Sequence, residues 1–196
     1  MQAEKSTELI KKYYTLGCCG IDCGLCPRFY TEGKSKCPGC FGPGFSEKHP
    51  PCSIASCCAK KHSLDVCCQC NEYPCKKYDN KNIEKDSFVT HKKMIANHKY
   101  IRENGIEKYI KEQNVRIKIL EKLLLEYNDG KNKSFFCIAS RLLDVRDLNT
   151  LINKAEKEIK TKNISENDLK TKSAIIKNIF TEYVNANNIK LKLGNL

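Results

Sequence analysis

Cysteine is the residue type in this chain with the clearest chemistry. Thirteen of the 14 cysteines lie between Cys18 and Cys75. Such density in a short stretch is typical of a disulfide framework or of metal binding. The first residues are polar and charged, without an apolar signal segment, which predicts a reducing cytoplasm where dense cysteine favours metal. The odd number of cysteines in the stretch also disfavours complete disulfide pairing.

The spacing of the cysteines predicts a set of metal ligands. A gap of two residues allows both sulfurs of a tight loop to reach one metal centre, and four thiolates complete a tetrahedral site. Ten cysteines in close pairs or triplets are therefore predicted ligands, enough for two centres. They are Cys19, Cys23, Cys26, Cys37, Cys40, Cys52, Cys57, Cys67, Cys70 and Cys75.

Three further cysteines lie directly beside predicted ligands. Cys18, Cys58 and Cys68 could be alternative ligands, redox-active thiols or packing residues, and Cys57 and Cys58 compete for one ligand position. Cys137 lies apart, among apolar residues, and is predicted to be a small buried core residue.

The identity of the metal is less constrained than the ligands. Three cysteines in an x3-x2 spacing, ending at Cys26 and followed by Pro27, are typical of iron–sulfur proteins. Radical S-adenosylmethionine enzymes share this spacing, but a chain of 196 residues with almost no strands cannot form their large barrel. The two-residue pairs Cys37/Cys40 and Cys67/Cys70 also fit zinc. We favour [4Fe-4S] clusters, with Zn²⁺ as the alternative.

These motifs resemble a prokaryotic cysteine-rich family, the domain of unknown function 3795. The segment Cys19–Phe29 is similar to the opening of that family, and similar features follow at Cys37–Cys40, Cys52–Cys57 and Cys67–Cys75. The resemblance covers about residues 16–80. It implies a metal-binding or iron–sulfur protein of a prokaryotic cytoplasm, without an assigned reaction.

Hydrophobic periodicity predicts the elements that must position these ligands. Apolar residues recur at intervals of three and four, which is the pattern of amphipathic helices, with one polar interruption at Gln113. A tail at residues 189–193 alternates like an edge strand. The predicted fold class is mainly α with an irregular cysteine-rich metal-binding module and few or no long strands. The predicted helices cover residues 3–16, 88–104, 106–128 and 135–143, followed by one capped by Asp144 and one in which Ser165 and Asp168 have capping-box spacing.

Composition divides the chain into two predicted domains. Residues 1–85 would contain the N-terminal helix and the cysteine-rich metal module. Residues 86–196 contain one cysteine and no proline, and would form a Lys-rich helical segment packed on the module.

Five other side chains near the module could take part in its chemistry. Asp22 is a possible proton donor or hard ligand, although a loop carboxylate that accepts backbone N–H bonds is favoured. His49 and His62 could replace cysteine at zinc. His91 and His98 are separated by about 10.5 Å of helix rise, too far for one ion. They are predicted to pack at the interface between helix and module, or to contact a cluster sulfur.

The net charge of +12 raises the question of nucleic-acid binding. Lysine greatly outnumbers arginine, which supplies most bidentate contacts to bases and phosphates. Lysines and acids also alternate at helical spacing, which predicts a solvated face with i,i+4 ion pairs. The predicted pairs are Glu107–Lys111, Lys108–Glu112, Glu112–Arg116 and Lys122–Glu126.

The sequence therefore predicts a cytoplasmic iron–sulfur protein, with two clusters favoured and a redox or cluster-dependent role. Its partner would be a redox protein or a small-molecule substrate. The alternative is a structural zinc module whose basic helical half binds nucleic acid or a protein partner. A membrane is not expected, because no apolar run approaches the ~18 residues of a spanning helix.

Overall fold

The computed structural model describes residues 8–78 and 85–194, and within them it contains seven α-helices and no β-strand. This confirms the predicted mainly α class with irregular cysteine-rich loops. Two of the helices are short and lie in the cysteine-rich part. The helices are α1 (Phe45–Lys48), α2 (Ser53–Ala55), α3 (Met94–Asn104), α4 (Ile106–Tyr127), α5 (Lys133–Leu142), α6 (Val145–Thr161) and α7 (Leu169–Ala186).

Helix α4 lies at the centre of the helical half. It packs against α3, α5, α6 and α7, and α6 pairs closely with α7. Many of the buried residues come from the predicted apolar stripes, for example Leu120 on α4 and Ile176 and Phe180 on α7. Each large apolar side chain that is fully removed from water contributes roughly 1.5–3 kcal/mol. The amphipathic pattern is therefore sufficient to hold these helices together.

The predicted helix boundaries are confirmed best where a cap residue is present. The prediction for residues 106–128 differs from α4 by one residue, and α4 begins after Gly105, which has a φ of 85°. The predicted capping box, with Ser165 as the N-cap of α7 and Asp168 three residues inside the helix, is wrong: Asp168 is itself the N-cap and accepts a hydrogen bond from the backbone N–H of Thr171, at 3.0 Å. Asp144 precedes α6 as predicted.

Helix α3 begins six residues later than predicted. The preceding segment is held by Asp86, whose Oδ1 accepts hydrogen bonds from the backbone N–H of His91 at 2.7 Å and from Thr90 Oγ1 at 3.1 Å. A side chain thus satisfies the backbone N–H that a helix would otherwise have used.

The predicted N-terminal helix is wrong in the part that the structure describes. Residues 12–15 form a turn, residues 8–11 have no regular structure, and residues 1–7 lie outside the described residues. The Lys11 N–H donates to the carbonyl of Phe41 at 2.9 Å, and the Cys40 N–H donates to the carbonyl of Tyr14 at 2.8 Å. These hydrogen bonds to the cysteine loop replace those of a helix.

The predicted edge strand at residues 189–193 is also absent from the described chain. The N–H of Ile189 donates to the carbonyl of Val184 at 2.8 Å and closes the end of α7. Ile189 and Leu191 then pack, partly buried, against the helical core. The tail therefore covers the bundle instead of pairing with another strand.

One buried residue of the cysteine loops joins the apolar core of the helices, while other loop residues form a smaller cluster of their own. Leu25, in the short 3₁₀ turn Cys23–Leu25, is buried in the same cluster as α4–α7. The boundary at residue 85 adjoins residues 79–84, which are not described, so the division into two domains stays a prediction.

Along residues 8–78 and 85–194, no helix combines the length and apolarity that crossing a bilayer would require.

Candidate metal centre

Four cysteines from distant parts of the sequence form a connected set of thiols, which we call the inner thiol group: Cys18, Cys40, Cys58 and Cys67. The sulfurs of Cys18 and Cys40 are 3.7 Å apart, and Cys58 lies beside Cys18 and Cys67, which both raise its pKa. All except Cys67 are buried residues. The group thus combines two predicted ligands with two cysteines that the spacing had left unassigned.

Backbone hydrogen bonds hold the segments of the inner thiol group together. The Cys67 N–H donates to the carbonyl of Cys18 at 2.8 Å, and the Cys18 N–H donates to the sulfur of Cys40 at 3.5 Å. The Cys58 thiol donates to the carbonyl of Leu64 at 3.3 Å. Three loops therefore meet at these sulfurs through contacts that sequence spacing does not encode.

A buried lysine accompanies the inner thiol group. Lys11 is only 6 % exposed, and its Nζ donates to the carbonyl of Leu16 at 3.0 Å and to Cys18 Sγ at 3.6 Å. Burial by itself would lower the pKa of Lys11, but the charges of Cys18 and Cys40 outweigh it and raise the pKa. Sequence reasoning missed this residue, because it falls in a predicted helix that does not form.

The same contacts favour a thiolate at Cys18. Hydrogen bonding from Cys40, with a further contribution from the neighbouring Cys58, lowers the pKa of Cys18 to about 3 despite its burial. The same contacts raise the pKa of Cys40 and of Cys58, so both favour the thiol form. The Cys40 thiol donates to the Cys18 sulfur, and the Cys58 thiol donates to the carbonyl of Leu64. The thiolate of Cys18 is a soft donor of the kind that binds zinc or iron, and the Lys11 ammonium offsets part of its negative charge.

A second set, which we call the triplet group, contains the N-terminal motif and one later cysteine: Cys19, Cys23, Cys26 and Cys37. Burial raises the pKa of Cys23 well above its usual value, and the charges of the other three thiols raise it further. All four are therefore close enough to interact electrostatically. The Cys37 N–H donates to the carbonyl of Arg28 at 2.9 Å, which holds Cys37 beside the triplet.

The remaining predicted ligands lie near the inner thiol group. Cys57, Cys70 and Cys75 line one cavity, together with His62. Cys52 instead caps α2, where its sulfur accepts a hydrogen bond from the Ala55 N–H at 3.5 Å.

Two cysteines serve packing. Cys68 is buried with Leu16 and Val66, and Cys137 is buried in the helical core. The prediction for Cys137 is confirmed.

The donor chemistry of these groups fits a thiolate-bound metal. Zinc–sulfur bonds of about 2.3 Å in a tetrahedron place neighbouring sulfurs about 3.8 Å apart, close to the distance between Cys18 and Cys40. Within residues 8–78 and 85–194, however, no three Cys, His, Asp or Glu side chains surround a common point as ligands of one ion would.

Asp22 connects the triplet group to three helices. Its carboxylate accepts hydrogen bonds from Tyr109, from Gln113 Nε2 at 2.8 Å and from Asn97 Nδ2 at 3.1 Å. Arg141 forms an ion pair with it, with Nε 3.3 Å from Oδ2. The expected partners were backbone N–H groups, whereas the contacts found are with side chains of α3, α4 and α5.

Sequence reasoning missed this network, although one signal was present. Gln113 interrupts the apolar stripe of α4, and it is 2 % exposed because it bonds both Asp22 and the carbonyl of Thr15. Arg141 interrupts an apolar helix in the same way. A polar residue on a buried helix face therefore indicated a buried polar partner.

His98 lies on α3 and packs against the cysteine loops, which confirms its predicted location at the interface between helix and module. Its Nδ1 is 2.8 Å from the Tyr73 hydroxyl, and its ring contacts the edges of Tyr73 and Tyr78. Its Nε2 faces the backbone of Cys18 without a well-formed hydrogen bond. His49 stacks on Phe45, so neither histidine contacts a sulfur in the manner of a ligand.

We expect His98 to make the fold sensitive to acid. Burial lowers the pKa of His98 to about 4, whereas an unfolded chain protonates it near its usual value of 6.5. Between these values the unfolded state binds more protons, so stability falls as the pH falls from 6.5 to 4. The loss should reach about 3 kcal/mol. Urea unfolding of the wild type and His98→Gln at pH 7 and 4.5 measures it.

The exposed His49→Gln is the matched control, and it should retain the wild-type pH dependence. All other titrating groups are shared by the wild type and His98→Gln. If both lose the same stability on acidification, His98 is not the cause of the acid sensitivity.

The lysine-rich surface forms ion pairs between elements as well as along helices. Glu107 contacts Lys12 at 3.0 Å, and Lys122 contacts Glu156 at 2.6 Å. Glu107 and Lys122 were both predicted to pair within α4, but these partners lie outside it. Exposed pairs of this kind contribute about 0–1 kcal/mol each.

Comparison with known proteins gave no match. No family model matches the chain, and no curated protein or solved structure matches it either. The resemblance to the domain of unknown function 3795 is neither supported nor opposed by these results.

Proposed function

We propose that this is a cytoplasmic iron–sulfur protein, with two clusters and a redox or cluster-dependent role. The observation that carries the proposal is the triplet group, in which Cys37 joins the x3-x2 motif followed by Pro27. Four thiolates are the usual ligands of a [4Fe-4S] cluster. We further propose membership of the prokaryotic family that the cysteine motifs resemble.

The triplet group would hold the first cluster. The second would take its ligands from the cysteines around the neighbouring cavity, namely Cys57, Cys67, Cys70 and Cys75. When bound, such clusters supply one-electron transfer to a redox partner or a small substrate.

The surrounding residues of this chain would control the charge and the solvent access of the thiolates. Lys11 offsets negative charge at Cys18, and Arg141 favours the thiolate of Cys26 electrostatically. The packing of α3 and α4 over Asp22 and His98 keeps water from one side of the loops. Net charge, hydrogen bonds to sulfur and exposure are the quantities that set a cluster potential.

A structural zinc module is the second candidate, and one observation favours it. The 3.7 Å separation of Cys18 and Cys40 matches neighbouring ligands of a tetrahedral zinc ion, for which Cys58 and Cys67 would complete the set. In that case the basic helical half would bind nucleic acid or a protein partner.

Metal analysis after anaerobic purification distinguishes these candidates. The iron–sulfur proposal expects a brown protein with broad visible absorbance, iron and acid-labile sulfide. A colourless protein with stoichiometric zinc and no sulfide would overturn it. The zinc alternative additionally expects nucleic-acid binding that weakens steeply with added salt, because lysines would displace counterions from phosphates.

A further inference from the structure

A polar cavity of about 200 Å³ lies between α3 and α4, beside Asp22. Its walls include Arg141 and Arg116, the aromatic rings of Tyr100 and Tyr109, and Lys93 near the exposed rim. Cavities for drug-sized ligands measure about 300–1,000 Å³, so this one suits a smaller molecule.

The guanidinium group of Arg141 is the unusual feature of this cavity. Arg141 is 2 % exposed, yet none of its three guanidinium nitrogens has a hydrogen-bond partner among the described residues. Its one polar contact is the ion pair of Nε with Asp22 at 3.3 Å. Buried donors are almost always paired, so a buried arginine with unpaired donors indicates a missing acceptor.

Asp22 cannot supply that acceptor for the rest of the guanidinium. Its two oxygens already accept hydrogen bonds from Tyr109, Gln113 and Asn97. The two terminal nitrogens of Arg141 thus remain without a partner in a wall of the cavity. A planar fork of N–H donors matches a carboxylate or another oxyanion by paired hydrogen bonds.

The charges around the cavity favour an anion. Lys93, Arg116 and Arg141 contribute three positive charges, and Asp22 and Glu112 contribute two negative charges. Arg116 is itself held in place, because its Nη1 donates to the carbonyls of Ser140 at 2.9 Å and Leu143 at 2.5 Å. The cavity therefore has a fixed net positive charge when no ligand is bound.

We propose that this cavity binds a small organic anion, whose carboxylate accepts hydrogen bonds from the terminal nitrogens of Arg141. The site lies against the loop that contains Cys23, so it would place the anion next to the triplet group. The binding site itself is independent of the proposed iron–sulfur function, since its walls are side chains of this chain and contain no cysteine.

Calorimetric titration with malonate and succinate tests the proposal, using the protein as purified and with its metal content measured separately. We expect saturable binding of at least one of them. Ala96→Phe should weaken it about tenfold or more, because Ala96 is exposed at the rim and a larger side chain there fills the entrance. The matched control is Ile95→Phe, an exposed neighbour outside the cavity, which should bind as the wild type does.

Arg141→Lys provides the chemical test, because it keeps the charge beside Asp22 but removes the fork of donors. Binding should weaken about tenfold or more. If this variant does not fold, titration of the wild type followed by ¹⁵N NMR of the arginine side chains replaces it, and the Arg141 signal should shift on binding. Absence of binding to the folded wild type, or equal binding by Ala96→Phe and wild type, would overturn the proposal whatever metal the protein contains.

Discussion

Replacement of Asp22 by asparagine is expected to lower the free energy of unfolding by about 3–5 kcal/mol. The variant keeps the shape of the side chain but leaves the Arg141 guanidinium buried without a counter-charge. It also turns an amide towards Gln113 and Asn97, whose own amides donate hydrogen bonds to the carboxylate. Equilibrium urea unfolding, followed by circular dichroism of the helices, measures the loss.

A double-mutant cycle separates this ion pair from a general loss of packing. Arg141→Met, combined with Asp22→Asn, removes both buried charges, and the double variant should be more stable than the sum of the two single losses predicts. Glu103→Gln is the surface control: its exposed pair with Lys99 at 3.9 Å should contribute less than about 1 kcal/mol. If Asp22→Asn lowers the free energy of unfolding as little as Glu103→Gln does, the Asp22 network contributes little to holding the loop on the helices.

Replacement of Cys23 by alanine is expected to remove one of the two proposed metal centres and to loosen the loops around it. Cys23 lies among the three other thiols of the triplet group, and a site that has lost one of four ligands binds its metal far more weakly. We expect iron and sulfide to fall by one cluster's content. Faster hydrogen exchange should appear in the loops that carry Cys19, Cys26 and Cys37.

Cys137→Ala is the matched control for this experiment. Cys137 is also buried, but it packs in the helical core and is not one of the predicted ligands. Its replacement should leave the metal content unchanged and cost about 1 kcal/mol of stability. Equal metal content in the wild type and in Cys23→Ala would remove Cys23 from the set of ligands.

The inner thiol group and Asp22 show why the candidate site could be predicted only in part. The ten predicted ligands follow from cysteine spacing, which identifies only cysteines that share one loop. Cys18 and Cys58 lack that signature, and they meet Cys40 and Cys67 through contacts between loops, such as the hydrogen bond from the Cys67 N–H to the carbonyl of Cys18. Lys11 was missed for a different reason: it falls in the predicted N-terminal helix, whereas the turn that forms there brings its Nζ to Cys18.

The helices, in contrast, followed from local patterns. The period of the apolar residues and the boundary residue Gly105 act within a few positions of each other, so α4 could be predicted directly, and the body of α7 follows from its own apolar period. The start of α3 could not, because Asp86 competes for its backbone N–H groups.

The sequence by itself determined the helical class, the position of the central helix and the concentration of thiols in one part of the chain. Each of these depends on residue types and on short separations along the chain. Only the tertiary structure decided which thiols are neighbours, which cation forms an ion pair with Asp22 and where a polar cavity lies. Those features depend on loops without periodicity, which are brought together by hydrogen bonds and by a shared apolar core between residues far apart in the sequence.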